Sequence, residues 1–177
     1  MSGGPDRPWL RRAGRLDLGG GETVLWSVAE GRRGRRWRSI RRDSTHRLVS
    51  DLLVSDLLVE VSAAGRWTRL ELATARGILT LHPEPDDAAV HGNVVTPEGV
   101  VPLAFAWSPG HRLVVTGEPV AAAALGATGP AGRPPGPGLI VGRDLAVTAA
   151  DAVEPMIAPA DGLPGPSWPL EPSPARG

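Results

Sequence analysis

Apolar residues recur at every second position through most of this chain, the period of a strand with one buried face. In "ETVLWSV", Val24, Trp26 and Val28 share a face, and Thr23, Leu25 and Ser27 occupy the other. "LLVEVS" sets Leu57, Val59 and Val61 against Leu58, Glu60 and Ser62, and "RWTRLELAT" sets Thr68, Leu70 and Leu72 against Arg69 and Glu71. "GILTLH", "VHGNVVT", "GVVPLAFAW" and "HRLVV" continue the series. Between these runs stand turn residues. "TPEG" (96–99) suits a type I turn, and "SPGH" (108–111) suits a type II turn if Gly110 takes a positive φ. "SAAGRW" and "TARGIL" each offer a glycine at a tight reversal. Short strands separated by turns predict a mostly β protein, an antiparallel meander closing into a barrel or sandwich.

Two stretches depart from the alternation. "VSDLLVSDLL" (49–58) is a tandem copy of five residues. Five is odd and strand faces alternate with period two, so the copies cannot both continue one strand in the same phase. The second copy, running into "VEV", is expected to be strand, with the first taken up as a bulge, an extension or a helical turn. "EPVAAAAL" (118–125) is the one good helix candidate, with Pro119 in its first turn and alanine, the best helix former, behind it. "GATGPAGRPPGPG" (126–138) reads as a Gly/Pro linker. "LIVGRDLAVTAADAV" (139–153) resumes strand character and could return to the sheet. Residues 1–20 read as a flexible lead-in, and the Pro-rich segment 158–177 as a disordered tail with Trp168 its one anchor. Residues 21–157 are then a single β-rich domain, long enough to bury a core without cross-links.

Composition narrows the chemistry. The 177 residues contain no cysteine, which excludes disulfides, zinc–thiolate sites and thiol catalysis. The N-terminus lacks the apolar core of a secretory signal. Apolar runs such as "VVPLAFAW" fall short of the ~20 residues a membrane helix needs. A soluble, cytoplasmic protein is expected. All 19 basic residues are arginine and balance 19 acids, so the net charge is zero, but the distribution is uneven. Residues 1–50 hold 12 Arg and 5 acids; residues 51–177 hold 7 Arg and 14 acids.

Candidate chemistry lies in three places. "GILTLHPEPDDAAVHGNVVTPEG" (77–99) brackets Glu84, Asp86 and Asp87 with His82 and His91. A transition metal usually wants three fixed protein ligands, whereas Pro and Asp between two strands are ordinary turn residues. A hairpin is the favoured reading, in which His82, His91 and Asn93 matter as contacts at a barrel rim; no metal or cofactor is expected. "GRRGRRWRSIRR" (31–42) packs seven arginines around Trp37. It reads as a charged strand with Arg36 and Arg38 outward and Trp37 inward, as a site for an anionic head group or an acidic protein partner, or as a nucleic-acid contact. Nucleic acid is the least favoured, since no recognised binding module accompanies the arginines. Six Trp stand beside one Phe and no Tyr. Trp26, Trp37, Trp67 and Trp107 fall on or beside strands and suit either core packing or an indole-lined cavity for an amphiphile.

Catalytic signals are weak. No nucleophile-elbow motif occurs. "DSTH" (43–46) groups Asp43, Ser44 and His46 by sequence adjacency alone, which is not triad geometry. Glu60 and Glu71 could face each other across an interior as paired carboxylates, but strand carboxylates more often face solvent.

The run "VEVSAAGRWTRLELATARGILTL" through "HGNVVTPEGVVPLAFAW" resembles the bacterial glycolipid-binding domain family over about residues 22–125. The shared features are a Gly-Arg-Trp turn at 65–67, a leucine-rich strand pair and an Asn-bearing strand ahead of Pro102-Leu103. The resemblance implies a mostly antiparallel, barrel-like fold and a glycolipid or other amphiphile as ligand; it assigns no site residue. The expected function is therefore non-catalytic binding of a small amphiphile, through Arg36, Trp37, Arg38, Trp67, His82, His91, Asn93 and Trp107. The alternative is an interaction module whose segment 31–42 docks an acidic protein or nucleic acid.

Overall fold

The computed structural model describes residues 10–43, 52–86, 88–126, 134–154, 156, 163–164 and 167–169. Eight consecutive antiparallel strands form one sheet: β1 (Leu10–Gly19), β2 (Glu22–Gly31), β3 (Gly34–Asp43), β4 (Leu52–Ser62), β5 (Trp67–Thr74), β6 (Gly77–Pro83), β7 (Ala89–Thr96) and β8 (Gly99–Ala106). A ninth, β12 (Ser167–Pro169), pairs with the outer edge of β1. The described strands form an open sheet whose order ends at β8. A second, three-stranded sheet orders β11 (Val147–Val153), β10 (Gly136–Val141) and β9 (Arg112–Val115). Helix α1 (Pro119–Gly126) joins β9 to β10, which run parallel and so need such a crossover.

The alternating pattern assigns the faces. Val24, Trp26, Val28, Trp37, Leu57, Val59, Val61, Leu70, Leu72, Leu79, Leu81 and Val90 are all buried on one side, the inner face. Val120, Ala121, Ala123 and Ala124 of α1 join the same core, with Leu113, Val115, Leu139 and Val141 of the small sheet. Residues 120–124 are buried all round. A run of alanines has no large side chain to hold the helix off, so its backbone comes close to β3 and β4 of the large sheet as well as to β9. Trp67 and Trp107 meet edge to face at 5.5 Å.

Several expectations shift. Residues 10–19, read as lead-in, form β1, and Ser167–Pro169, read as tail, form β12. Their signals were weak because β1 lies near an edge and mixes Arg and Gly among few apolar residues. Gly136–Gly138, read as linker, open β10, which with β11 joins β9 instead of returning to the large sheet. In "SPGH", the N–H of His111 donates to the Ser108 carbonyl at 2.9 Å, but Gly110 is absent from the positive-φ residues, so the turn is not type II. The repeat resolves as a bulge: Arg41 pairs with Ser55 and Arg42 with Leu53, leaving Val54 as the extra residue. Val54 is the junction of the two copies, where one added residue turns an odd offset into an even one. Residues 49–51 lie outside the described residues. No helix among the described residues is long and apolar enough to cross a membrane.

Candidate functional site

Strands β2 and β3 are joined by Arg32 and Arg33 alone, with Gly31 opposite Gly34. Gly34 is required twice over. Its φ is +124°, and a Cβ there would collide with the Val61 carbonyl oxygen. Its absence lets the hairpin end lie against the end of β4. Next to it, Glu60 pairs with Arg69 and Val61 with Trp67, so Thr68 is left over as a β-bulge. The hairpin end and this bulge border a surface groove of about 840 Å³, lined by Ala29, Glu30, Arg32, Arg33, Arg35, Arg36, Glu60, Val61 and Thr68. Its apolar floor is small, and its rim is cationic. Four guanidinium groups face two carboxylates, a local excess of two positive charges. Arg35 Nη2 lies 3.3 Å from Glu30 Oε1, and Arg36 Nη2 2.6 Å from Glu60 Oε1. Both arginines are well exposed, and such pairs break at a cost of about 0–1 kcal/mol, leaving their cations available to an anion.

The expected binding residues divide among different surroundings. Arg36 and Arg38 project from the outer face of β3, where Arg38 pairs with Asp56 at 2.7 Å, which raises its pKa further. Trp37 points the other way and packs in the core with Trp26, ring centroids 6.3 Å apart. Trp67 and buried Trp107 form a separate edge-to-face pair, extended by His111 at 5.3 Å from Trp107. His82 and His91 are directly opposed on β6 and β7, with Asn93 two residues beyond His91. Their parity is opposite to that of Leu79, Leu81 and Val90, so all three lie on the outer face, away from α1. Only Arg36 belongs to the groove.

His91 Nε2 lies 2.8 Å from Glu84 Oε1, which closes the turn across the hairpin. No cluster of three metal-ligating side chains occurs among the described residues. Asp87, Ser44 and His46 lie outside them. Glu60 and Glu71 both occupy the outer face, each paired with an arginine, Arg36 and Arg69 respectively.

Sequence reasoning missed a second polar cluster, at the opposite end of β2–β3–β4. Arg41 is buried, its side chain 7% exposed, and its guanidinium bonds the Glu22 carboxylate. Nη1 also donates to the Gly117 carbonyl at 2.6 Å. Ser55 Oγ donates at 2.7 Å to Oε1 of Glu118, the residue that caps α1 with its carbonyl. Burial pushes the Glu118 carboxyl above the usual range; Ser55, Arg41 and Arg143 pull it down, and burial wins. Arg41 Nε and Glu118 Oε2 lack partners among the described residues. The signal was present: Arg41 shares parity with Trp37, and Ser55 with Leu57. The cluster ties the helix to the large sheet. Ser55 is 1% exposed, so no solute reaches its hydroxyl.

Comparison with protein families, with characterised proteins and with solved structures found no match to this chain.

Proposed function

We propose that this chain is a binding domain for a small amphiphile with an anionic head, held at the β2–β3 hairpin end. The observation that carries the reading is the groove itself: Arg32, Arg33, Arg35 and Arg36 surround Ala29, Val61 and the Thr68 bulge in about 840 Å³. Guanidinium forks match phosphate or carboxylate geometry, and the small apolar floor suits the first methylenes of a chain. A glycolipid or other amphiphile is the class implied by the resemblance over residues 22–125. The reading needs no closed barrel, because the ligand lies beside the hairpin and not inside the sheet. It also needs no indole-lined cavity: Trp26, Trp37 and Trp107 pack with the core residues.

Calorimetric titration tests it with three probes: dodecyl phosphate, inorganic phosphate and dodecyl maltoside. Dodecyl phosphate should bind, inorganic phosphate at least tenfold more weakly, and the double variant Arg33→Ala, Arg35→Ala should lose the dodecyl phosphate signal. Equal affinity for the two phosphates would reduce the site to a plain anion site. Absence of binding by all three would end the reading.

The alternative, an acidic protein or nucleic acid docking on residues 31–42, draws support from the density of arginine alone. If it holds, replacing Arg35, Arg36 and Arg38 with Ala will weaken polyanion binding and flatten its salt dependence.

A further inference from the structure

The groove at the β2–β3 hairpin end has a charge count as well as a shape. Arg32, Arg33, Arg35 and Arg36 line it against the two carboxylates of Glu30 and Glu60, and no histidine is among the lining residues. Successive side chains on a strand point to opposite faces, so Arg35 and Arg36 reach the groove from the two sides of β3. Their register partners differ accordingly: Arg35 stands opposite Glu30 and Val61, and Arg36 opposite Ala29 and Glu60. Arg32 and Arg33 close the end, and the flanking Gly31 and Gly34 put no side chain into the space between.

The ion pairs of the rim are unequal. Arg36 turns Nε, at 2.7 Å, and Nη2, at 2.6 Å, onto the same oxygen of Glu60. Arg35 reaches Glu30 through Nη2 alone, at 3.3 Å, and is the cation more readily drawn onto a ligand. Arg69, opposite Glu60 on β5, is taken up by Glu71 at 2.7 Å and leaves the count unchanged. Matching the two carboxylates one to one against the four guanidiniums leaves two positive charges in the groove. A head with one negative charge leaves the groove positive, whereas a head with two brings it to neutrality.

We propose that the head group bound here is a phosphomonoester in its dianionic form, in preference to a phosphodiester, sulfate or carboxylate of one charge. The inference rests on amphiphile binding at the hairpin end and narrows the class of ligand. A phosphomonoester loses its second proton near pH 6, so above neutrality it presents about two charges on three acceptor oxygens. Guanidinium forks suit those oxygens, and at fixed geometry the attraction grows with the product of the charges. A diester gives one of the oxygens to a second carbon and keeps a single charge. Desolvation opposes the choice, because a dianion holds its water more tightly than a monoanion does. Here that opposition is weak: the side chains of Arg35 and Arg36 are 46% and 68% exposed, so the bound head keeps part of its hydration.

Calorimetric titration of the full chain tests this with dodecyl phosphate and methyl dodecyl phosphate, both below their micelle concentrations, at about pH 8 and about pH 5. The two esters share the alkyl chain and differ in charge, and the diester, measured at both pH values, reports any titration of the protein itself. At the higher pH the monoester should bind about tenfold more tightly than the diester. At the lower pH, where it too carries about one charge, the difference should fall to about twofold or less. Arg33→Gln lowers the excess charge and should cut the preference at the higher pH about threefold, whereas Glu30→Gln raises the excess and should enlarge the preference. If either variant fails to fold, the wild-type titrations at the two pH values decide alone. Inorganic phosphate should bind about tenfold more weakly than dodecyl phosphate; equal affinity would make free phosphate the source of the dianion and overturn the proposal. Equal binding of the two esters at the higher pH would also overturn it, while leaving an amphiphile site with a different head. A preference undiminished at the lower pH would trace the choice to shape instead of charge, with the same consequence. Binding of neither ester would end this inference together with the binding site it rests on.

Discussion

Arg38 and Arg41 stand three residues apart on one strand and live in opposite worlds. Arg38 lies on the outer face, its side chain 60% exposed and paired with Asp56 across the ladder. Arg41 lies on the inner face, enclosed between Glu22, Gly117 and the Glu118 end of α1. An odd separation on a strand always divides the faces, and the solvent on each side sets what the same guanidinium is worth. In water the pair is screened and contributes about 0–1 kcal/mol. In the core, removing one partner strands the others without water, which costs about 3–5 kcal/mol. The strand thus divides its arginines between two settings: Arg35 and Arg36 at the hairpin end are exposed to solvent, and Arg41 at the far end is enclosed by the fold.

That contrast can be broken from the buried side first. Arg41→Ala should lower the unfolding free energy in urea by about 3–5 kcal/mol, because Glu22 and Glu118 lose the buried cation between them and keep only the more exposed Arg143. A loss below about 1 kcal/mol would mean that Arg41 is hydrated and the two arginines are alike. Next in size is Gly34→Ala, expected to cost about 1–3 kcal/mol for a side chain forced into a left-handed, crowded position. It should also weaken dodecyl phosphate binding, since the hairpin end must move away from Val61. Binding that survives at full strength would detach the groove from the hairpin geometry.

A pH profile sharpens the comparison further. Burial raises the Glu118 pKa in the folded protein, so the native state holds that proton more tightly than the unfolded chain does. Stability from this group is therefore fully present below the unfolded value, about 4.3, and is lost as pH rises through the raised folded value. Glu118→Gln lacks this loss, so its stability relative to wild type should improve from pH 4 toward neutrality. Parallel profiles for the two proteins would show the carboxyl to be unperturbed. Smallest of all, Arg38→Ala should change stability by less than about 1 kcal/mol, as checked by the same urea titration.

Much of the fold was legible from period two alone. Val24, Trp26, Val28, Leu57, Val59, Val61, Leu70 and Leu72 face the core as the alternation requires, and "EPVAAAAL" is α1. Thr68 broke the pattern because a bulge is a matter of register between two strands, which no single strand reveals. β1 and the Gly136–Gly138 start of β10 were hidden because Gly, Pro and Arg carry little apolar signal. For the candidate site, the arginines of segment 31–42 were legible as a cluster, and the residues that border the groove with them were not. Ala29, Val61 and Thr68 come from three different strands, and only the hairpin and the bulge bring them together. His91 and Asn93, two residues apart, share a face as period two requires, but which face depended on Leu79 and Leu81 filling the other. Arg41 and Glu118 show the converse: their charge argued for solvent, while parity in one case and the helix cap in the other turned them inward.

The central claim is that ligand binds outside the core, at the hairpin end. Amide shifts in ¹H–¹⁵N correlation spectra, followed while dodecyl phosphate is added below its micelle concentration, test it most directly. Shifts concentrated at residues 29–36, 60–61 and 68 are the expected result. Shifts centred on α1 and on strands β9 and β10, with residues 29–36 unmoved, would place the ligand in the interior and contradict the account.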